Sequence, residues 1–352
     1  MSLLSAIFGF AVGTRNALYD RGVLKSHRLA GPVISVGNIR VGGAGKTPFV
    51  ILVGELLKER GVAFDVLSRG YGRSTRGVAL VDPRGTPDEF GDEPLLIARK
   101  LDVPVIVGED RYSAGLYAEQ RFGPQLHLLD DGFQHRRLAR DYEIVLVTPT
   151  DLEDSLLPAG RLREPIESLR RADAIVLPAE AADSLLERIR ALVPHVREAN
   201  VGNSSANAAS EGHEKLILRV CRSVRMPSLG DVPSRPVAFC AIARPEHFFA
   251  DLQQAGVTPV AQIPFRDHHR YEGKDVGLLR STSTELQGDG YMTTEKDAIN
   301  LGDLAGSLHP LAVVPAIATL DNGDSALDHI LATIAERRRL HTGTEHSPIH
   351  TR

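Results

Sequence analysis

A glycine-rich segment that ends in Gly-Lys-Thr has the residue types and spacing of a phosphate-binding loop. It follows an apolar run and precedes a helical pattern, Val33–Val36 and Phe49–Glu59. The segment consists of Arg40, Val41, Gly42, Gly43, Ala44, Gly45, Lys46 and Thr47. Small residues let backbone N–H groups approach phosphate oxygens, and the N-terminus of the next helix adds a favourable dipole. In this pattern the lysine contacts the β- and γ-phosphates and the threonine hydroxyl ligates Mg²⁺. Arg40 stands where the usual pattern begins with glycine, and a glycine-rich turn without a ligand is the simpler alternative.

Carboxylates follow or open two other predicted elements. Asp130 and Asp131 come directly after the apolar run Leu126–Leu129. Strand ends in such sheets face the ligand, so these acids are candidates for holding Mg²⁺, although a solvated turn would have the same composition. Asp92 opens a predicted helix over Asp92–Lys100. It is either a helix-capping residue or a general base that accepts a proton from an attacking hydroxyl.

Histidines and arginines add further candidates. His268 and His269 follow Asp267 in a polar segment, which is consistent with a metal site, a base or a solvated loop. Arginines recur in ordered-looking turns, where the planar guanidinium suits phosphate oxygens, although a single surface arginine is more often solvated. These turns are Ser68–Arg73, Asp110–Tyr112 and Pro158–Pro165.

Composition places few limits on function. The chain has 352 residues, of which 42% are hydrophobic and 24% charged, as in ordinary globular proteins of about two domains. A net charge of −4 gives no general argument for nucleic-acid binding. The two cysteines, Cys221 and Cys240, have no metal-ligand spacing and fit a reducing compartment.

Strand and helix patterns alternate along the first two-thirds of the chain. This alternation predicts an α/β fold, a P-loop NTPase-like mostly parallel sheet with helices on both faces, plus a smaller C-terminal α/β lobe. The strands predicted for the first part are Val33–Val36, Phe64–Leu67, Val103–Val107, Leu126–Leu129, Ile144–Val147 and Ala174–Leu177. Those predicted for the second part are Leu216–Val220, Val237–Ala241, Thr258–Ile263 and Leu311–Ile317, followed by a helix over Ser325–Arg337.

We therefore expect five segments. They are an apolar N-terminal helix (1–12), a P-loop core (13–200), a linker or exposed loop (201–214), the smaller lobe (215–338) and a disordered tail (339–352). The N-terminal segment is too short to cross a bilayer, which needs about 20 apolar residues. It packs either on the protein's own core or in a membrane interface.

Seven sequence blocks, taken in order, resemble the tetraacyldisaccharide 4'-kinase family, the lipid A kinases of Gram-negative bacteria. The blocks are Val36–Pro48, Ser68–Arg73, Gly91–Pro94, Leu129–His135, Pro158–Pro165, Phe265–His268 and Thr293–Ala298. The resemblance runs from about Arg15 to Ala298, and this family accepts a residue other than glycine at the position of Arg40. Lys296, in the last block, either has a role in the nucleotide site or the lobe hinge, or forms an ordinary structural ion pair.

The resemblance implies phosphoryl transfer from ATP, with Mg²⁺, to the 4'-hydroxyl of a tetraacylated glucosamine disaccharide 1-phosphate. It implies that residues 40–47, Lys46 included, bind ATP, that Asp92 is the base and that His268 orients it. It also implies a magnesium site at Thr47, Asp130 and Asp131. The arginines expected at the phosphate or sugar of the substrate are Arg69, Arg73, Arg161 and Arg163.

A lipid substrate changes the expectation for the N-terminal helix. Because an acylated acceptor resides in a membrane, interfacial docking becomes the favoured reading, with a peripheral enzyme on the cytoplasmic face of the bacterial inner membrane. We expect no nucleic-acid partner and no required protein partner.

A P-loop nucleotide switch or partitioning-type ATPase at the membrane is the competing class. The segment Thr294–Asp297 does not match the Asn-Lys-x-Asp motif that reads guanine, and a switch would not need Asp92 as a base. A soluble small-molecule kinase is a third possibility, which would work without detergent and without residues 1–12.

Overall fold

Apolar runs of the sequence form strands, and amphipathic segments between them form helices, in a computed structural model that describes residues 2–181, 183–198 and 215–344. The helices are α1 (Leu3–Asp20), α2 (Lys46–Glu59), α3 (Pro87–Phe90), α4 (Asp92–Leu101), α5 (Arg111–Phe122), α6 (Asp183–Leu192), α7 (Pro245–Gln254), α8 (Gly273–Glu285), α9 (Glu295–Leu301) and α10 (Gly323–Thr344). The strands are β1 (Val33–Asn38), β2 (Phe64–Ser68), β3 (Ala79–Leu80), β4 (Val105–Val107), β5 (Leu126–Asp130), β6 (Tyr142–Leu146), β7 (Ala174–Pro178), β8 (Val196–Glu198), β9 (Lys215–Val224), β10 (Pro236–Cys240), β11 (Ala261–Pro264), β12 (Gly290–Thr294), β13 (Leu311–Val314) and β14 (Ala316–Leu320). Short 3₁₀ helices lie at Pro149–Leu152, Ile166–Arg171, Leu229–Asp231 and Gly302–Ser307.

The first of two compact units comprises Met1–Arg69, Asp110–Cys221 and Thr319–Arg352. Its parallel strands run in the order β9-β7-β6-β1-β5-β2. The central strand β1 is buried along its whole length, which explains its unbroken apolar character. Its register places Val36 beside Asp130 of β5, so the ends of these two strands lie together.

Helices cover both faces of this sheet, as the sequence predicts. Ile144 of β6 faces a small space that is also lined by residues of α2 and α10. The next residue, Val145, packs in a cluster with Leu185 and Ile189 of α6. Because successive strand residues point to opposite faces, α2 and α10 cover one face and α6 the other. The predicted α/β fold with a mostly parallel sheet is confirmed.

The second unit comprises Gly70–Glu109 and Arg222–Ala318. Its parallel strands run in the order β11-β10-β12-β13, and β3 pairs with β4 in antiparallel fashion. An aromatic cluster fills one side of its core, where Phe239 meets Phe265 and Tyr271 edge to face. This cluster fixes the loop 265–271 against β10.

The observed division differs from the predicted boundaries 13–200 and 215–338. Gly70–Glu109 belongs to the second unit because α4 packs against α9, with Asn300 bonded to Asp92. The end of the chain from Thr319 belongs to the first unit because α10 packs on α2 and β6. These associations join segments far apart in sequence. The predicted linker 201–214 lies outside the described residues.

The N-terminal helix is longer than predicted and exposes four large apolar residues in its first half. Ser5 and Asn16 are buried on its inner side, where the Ser5 hydroxyl donates to Leu156 O at 3.0 Å and Asn16 Nδ2 donates to Glu164 at 2.9 Å. The large apolar side chains at its start are at least 58% exposed: Leu3, Leu4, Ile7 and Phe10. Polar groups therefore attach α1 to its unit, rather than the apolar stripe that the core-packing alternative requires. Within the described ranges, none of the helices combines the length and the apolar character needed to span a bilayer.

The last helix is also longer than predicted, so part of the expected tail 339–352 is ordered. It continues to Thr344, and residues 345–352 lie outside the described ranges. Arg337 donates to the Asp173 carboxylate at 2.7 Å, and Arg338 donates to Asp141 at 3.0 Å. These ion pairs and the lack of a proline keep the helix intact beyond Arg337.

Candidate active site

The glycine-rich loop of the first unit connects β1 to α2 in the geometry expected for phosphate binding. Gly45 has a φ of 75° and Gly42 a φ of 91°, both in the left-handed region that favours glycine. Gly37 is required for a different reason, because a Cβ there would lie 2.6 Å from the Cβ of Phe133. The loop therefore leads directly into the N-terminus of α2, which begins at Lys46.

Lys46 belongs to a compact charged cluster at the ends of β1 and β5. Its ammonium lies 3.3 Å from Asp131 Oδ1 and donates to Asn38 Oδ1 at 3.3 Å. Arg163 binds the same carboxylate through both terminal nitrogens, at 3.0 and 3.1 Å, and donates to Asn38 Oδ1 at 2.7 Å. Burial raises the pKa of Asp131, but Lys46 and Arg163 outweigh it and hold the pKa well below its usual range. Two cations thus lie side by side where the loop would place phosphate oxygens.

Arg40 turns its side chain away from this cluster. Its guanidinium is buried and donates to Asp151 at 2.8 Å and to Thr150 at 2.9 Å. Its backbone takes part in the loop, where Val41 N–H donates to Arg161 O at 2.8 Å. Arginine at the position of the usual glycine therefore anchors the loop internally.

Thr47 and the two aspartates present the oxygen ligands that Mg²⁺ prefers. Thr47 is buried in the first turn of α2, and the buried Asp130 accepts a hydrogen bond from Ser68 at 2.9 Å. The Asp131 carboxylate forms ion pairs with Lys46 and Arg163. Nucleotide sites commonly hold Mg²⁺ with one or two carboxylates plus phosphates, so this donor set fits the ion.

The predicted substrate arginines have different surroundings. Arg69 and Arg161 are exposed in the first unit, whereas Arg73 of the second unit is buried and donates to Glu109 at 2.9 Å. A substrate role for Arg73 stays a prediction. Arg111, which the sequence places only in a general arginine-rich segment, lies near Arg69 and Asp131. Burial lowers the pKa of Arg111 to about 10. The negative charge of Asp131 opposes this lowering, and the positive charge of Arg69 adds to it.

A buried carboxylate–imidazole pair forms the second candidate centre, within the second unit. Asp92 begins α4 and is 5% exposed, and its Oδ2 lies 3.0 Å from His268 Nδ1. Asn300 Nδ2 donates to the same oxygen at 3.2 Å. Burial raises the pKa of Asp92, but the hydrogen bond from His268 and the charge of Lys296 hold it well below its usual range. The carboxylate is therefore ionised at neutral pH, the charge state in which it can accept a proton.

The structure separates the roles of the two adjacent histidines. His268 has a φ of 57° and points to Asp92, whereas His269 contacts Asp275 at 2.9 Å and stacks on Phe265. They do not converge on a common ligand. Across residues 2–181, 183–198 and 215–344, no three His, Cys, Asp or Glu side chains are grouped as metal ligands. The geometry favours the base-orienting interpretation of His268 over the metal-site alternative.

Lys296 completes the surroundings of this pair. Its ammonium lies 3.6 Å from Asp92 Oδ2 and 3.3 Å from His268 Nε2. The role of Lys296 could not be predicted from the sequence, because its neighbours lie on α4 and on the loop 265–271, both far from it along the chain. Asn300 could not be predicted as a partner of Asp92 for the same reason. The available signal was its spacing from Lys296, because residues i and i+4 of a helix such as α9 share a face.

A glycine-rich Gly-Lys-Thr loop on a parallel α/β unit, together with a buried carboxylate–imidazole pair, has the form of a P-loop phosphotransferase. Residues 1–336 match the model of the tetraacyldisaccharide-1-P 4'-kinase family. The chain belongs to this family, and it is a kinase of lipid A biosynthesis with an alcohol group as phosphoryl acceptor.

Individual relatives span nearly the whole chain. A tetraacyldisaccharide 4'-kinase from Koribacter versatilis is 47% identical over 345 residues, covering 96% of this chain and all of its own length. One from Geobacter metallireducens is 36% identical over 342 residues, covering 94% of this chain and 97% of its own. The crystal structure of LpxK from Aquifex aeolicus in complex with ATP is similar, with a TM-score of 0.70 and 31% identity, over 94% of this chain and 97% of that one.

Proposed function

We propose that this chain uses ATP and Mg²⁺ to phosphorylate the 4'-hydroxyl of tetraacyldisaccharide 1-phosphate, on the cytoplasmic face of the inner membrane. The observation that carries the proposal is the buried Asp92–His268 pair, at 3.0 Å, in a chain that also has a Gly-Lys-Thr phosphate loop. A nucleotide switch has no use for such a base, whereas transfer to a sugar hydroxyl does.

The first unit handles the phosphates. Backbone N–H groups of residues 40–47 and the Lys46 ammonium bind the β- and γ-phosphates of ATP, and Arg163 adds a second cation. Lys46 and Arg163, which pair with the Asp131 carboxylate, would exchange it for phosphate oxygens when ATP binds. Thr47, Asp130 and Asp131 would hold Mg²⁺, which when bound neutralises charge on the phosphate oxygens.

The second unit handles the proton. The acceptor hydroxyl oxygen forms a bond to the γ-phosphorus as the bond between that phosphorus and the β–γ bridging oxygen breaks, and ADP leaves. The hydroxyl proton passes to Asp92, which His268 orients. Phosphoryl transfer needs positioning and charge neutralisation more than covalent chemistry, which is what these two sets of side chains supply.

The substrate side of the proposal rests on arginines and on α1. Arg69 and Arg161 are exposed and would contact the sugar or its phosphate. The side chain of Arg73 is 2% exposed and paired with Glu109, so it would contact the substrate only after leaving that partner. The exposed apolar side chains of α1 contact the membrane interface, where an acylated acceptor resides.

Acceptor-dependent ATP turnover in detergent micelles tests this function. We expect turnover to require the acylated disaccharide 1-phosphate, because bound lipid positions its hydroxyl for attack on the γ-phosphorus and a free water molecule is not positioned in this way. ATP turnover that is independent of the lipid, or that requires a protein partner instead, would favour a nucleotide switch.

Phe10→Ser should weaken membrane association. Phe10 is 77% exposed on α1, and burying a phenylalanine in an apolar phase is worth about 1.5–3 kcal/mol. Sedimentation with vesicles of phosphatidylethanolamine and phosphatidylglycerol measures the loss. Ala6→Ser, at a small exposed residue of the same helix, is the matched control. Equal vesicle binding by both variants and the parent protein would contradict the docking role of α1.

A further inference from the structure

Lys296 is surrounded by the groups that would move the proton. Its ammonium lies 3.3 Å from His268 Nε2 and 3.6 Å from Asp92 Oδ2, Glu93 Oε1 and Asp267 Oδ1 alike. A lysine ammonium has three donors and no acceptor, so Nε2 of His268 must present its lone pair to it. The proton of a neutral ring then sits on Nδ1, which faces Asp92.

A buried carboxylate explains why the ammonium is held at this place. Asp297 accepts hydrogen bonds from Ala241 N at 2.8 Å, the Tyr271 hydroxyl at 2.9 Å and the Thr294 hydroxyl at 2.6 Å. The backbone N–H of His268 donates to Ala241 O at 3.2 Å. Asp297 thus joins the start of α9, which carries Lys296, to the loop that carries His268.

We infer that Lys296 is a positioning residue of the phosphoryl transfer: its ammonium holds His268 in the tautomer with the proton on Nδ1. This inference rests on the proposed role of Asp92 as the base. With Nδ1–H and Asn300 both donating to Oδ2, the other oxygen, Oδ1, accepts the backbone N–H of Glu93 at 2.9 Å. Oδ1 keeps lone-pair capacity and is the atom that takes the acceptor proton.

The charges around His268 set the direction of the pH effect. His268 faces Asp92 from α4, Lys296 from α9 and, at 3.9 Å, Asp267 from its own loop, with the Tyr71 ring at 5.2 Å. Burial lowers the pKa of His268, and the bond to Asp92 more than reverses this; the Lys296 charge opposes protonation. The same charge lowers the pKa of Asp92. Loss of Lys296 therefore raises both pKa values, so the acidic limb of the rate profile moves to higher pH.

Nitrogen-15 NMR of histidine-labelled protein without substrate tests the tautomer. We expect a protonated Nδ1 and an unprotonated Nε2 for His268 at pH values above its pKa, with the signal assigned by its loss in His268→Gln. Lys296→Met should replace this pattern by a tautomer mixture or an imidazolium, and Lys296→Arg should retain it because arginine also only donates. Lys100→Met is the matched control, since Lys100 pairs with Glu295 and joins the same two helices. An Nε2-protonated ring in the wild-type protein would overturn the inference, even if Lys296→Met did not fold.

The pH dependence of kcat is the second readout. Lys296→Met should shift the acidic limb upward by about one pH unit, because His268 then loses a positive neighbour that disfavours its protonation, and a charge at this range shifts a pKa by about 1–3 units. The KM for ATP should stay within about twofold, and Lys296→Arg should restore the limb. An equal loss of rate in Lys296→Met and Lys100→Met, with no shift of the limb, would show that Lys296 is only structural. The tautomer is measured without turnover, so the two proposals can fail separately. If wild-type His268 carries its proton on Nδ1 but Asp92→Asn remains active, the tautomer inference stands and the assignment of Asp92 as the base is wrong.

Discussion

Asp92→Asn should bind ATP normally and lose turnover by about 10²–10⁴-fold, the usual contribution of general base catalysis. Asparagine keeps the size of the side chain and its place at the start of α4, but its amide cannot accept the hydroxyl proton. Its amide oxygen can still accept the hydrogen bond from His268, so we expect the second unit to fold. ATP affinity and the rate of lipid phosphorylation, measured on the same preparation, separate these two effects.

Asp88→Asn is the control for this change. Asp88 lies on the neighbouring helix α3, is 63% exposed and pairs with Arg270 at 2.8 Å. An exposed ion pair contributes little, so this variant should be near wild type in both measurements. Turnover of Asp92→Asn at the level of Asp88→Asn would remove Asp92 as the base.

Lys46→Met should weaken ATP binding and lower kcat together, the rate by about 10²–10³-fold, the range measured when one charge-stabilising donor is removed. The ammonium lies 3.3 Å from Asp131, and Arg163 still neutralises that carboxylate when Lys46 is replaced. The variant should therefore fold, and its defect should appear in nucleotide affinity and rate rather than in stability.

Lys58→Met removes a lysine from the other end of the same helix, where the side chain is exposed. Calorimetric ATP binding and steady-state rates should be unchanged in this control. If Lys46→Met matched it in both quantities, the glycine-rich loop would not be the phosphate site.

The strand, glycine-rich loop and helix of the proposed phosphate site could be predicted because they are local in sequence. One continuous segment contains the buried strand, the glycines and Lys46, and the structure places them as β1, loop and α2. The side chain of Arg40 could not be placed in this way, because its partner Asp151 lies on a turn after β6. Asn38, which accepts from Lys46 and Arg163, was hidden for the same reason.

The sequence motifs offer Asp92 and His268 only as separate candidates, and their pairing could be predicted only through the family resemblance. Asp92 and His268 are 176 residues apart, and no local pattern distinguishes His268 from His269. The distinction depends on the positive φ of His268 and on the stacking of His269 against Phe265. The pairing of α4 with α9 that moves Gly70–Glu109 into the second unit is equally non-local.

The most direct test of this account is transfer of the labelled γ-phosphate of ATP to tetraacyldisaccharide 1-phosphate in detergent micelles. We expect labelled lipid with the wild-type chain, with the label on the 4'-oxygen, and a loss of that product in Asp92→Asn. ATP hydrolysis without labelled lipid would contradict the account.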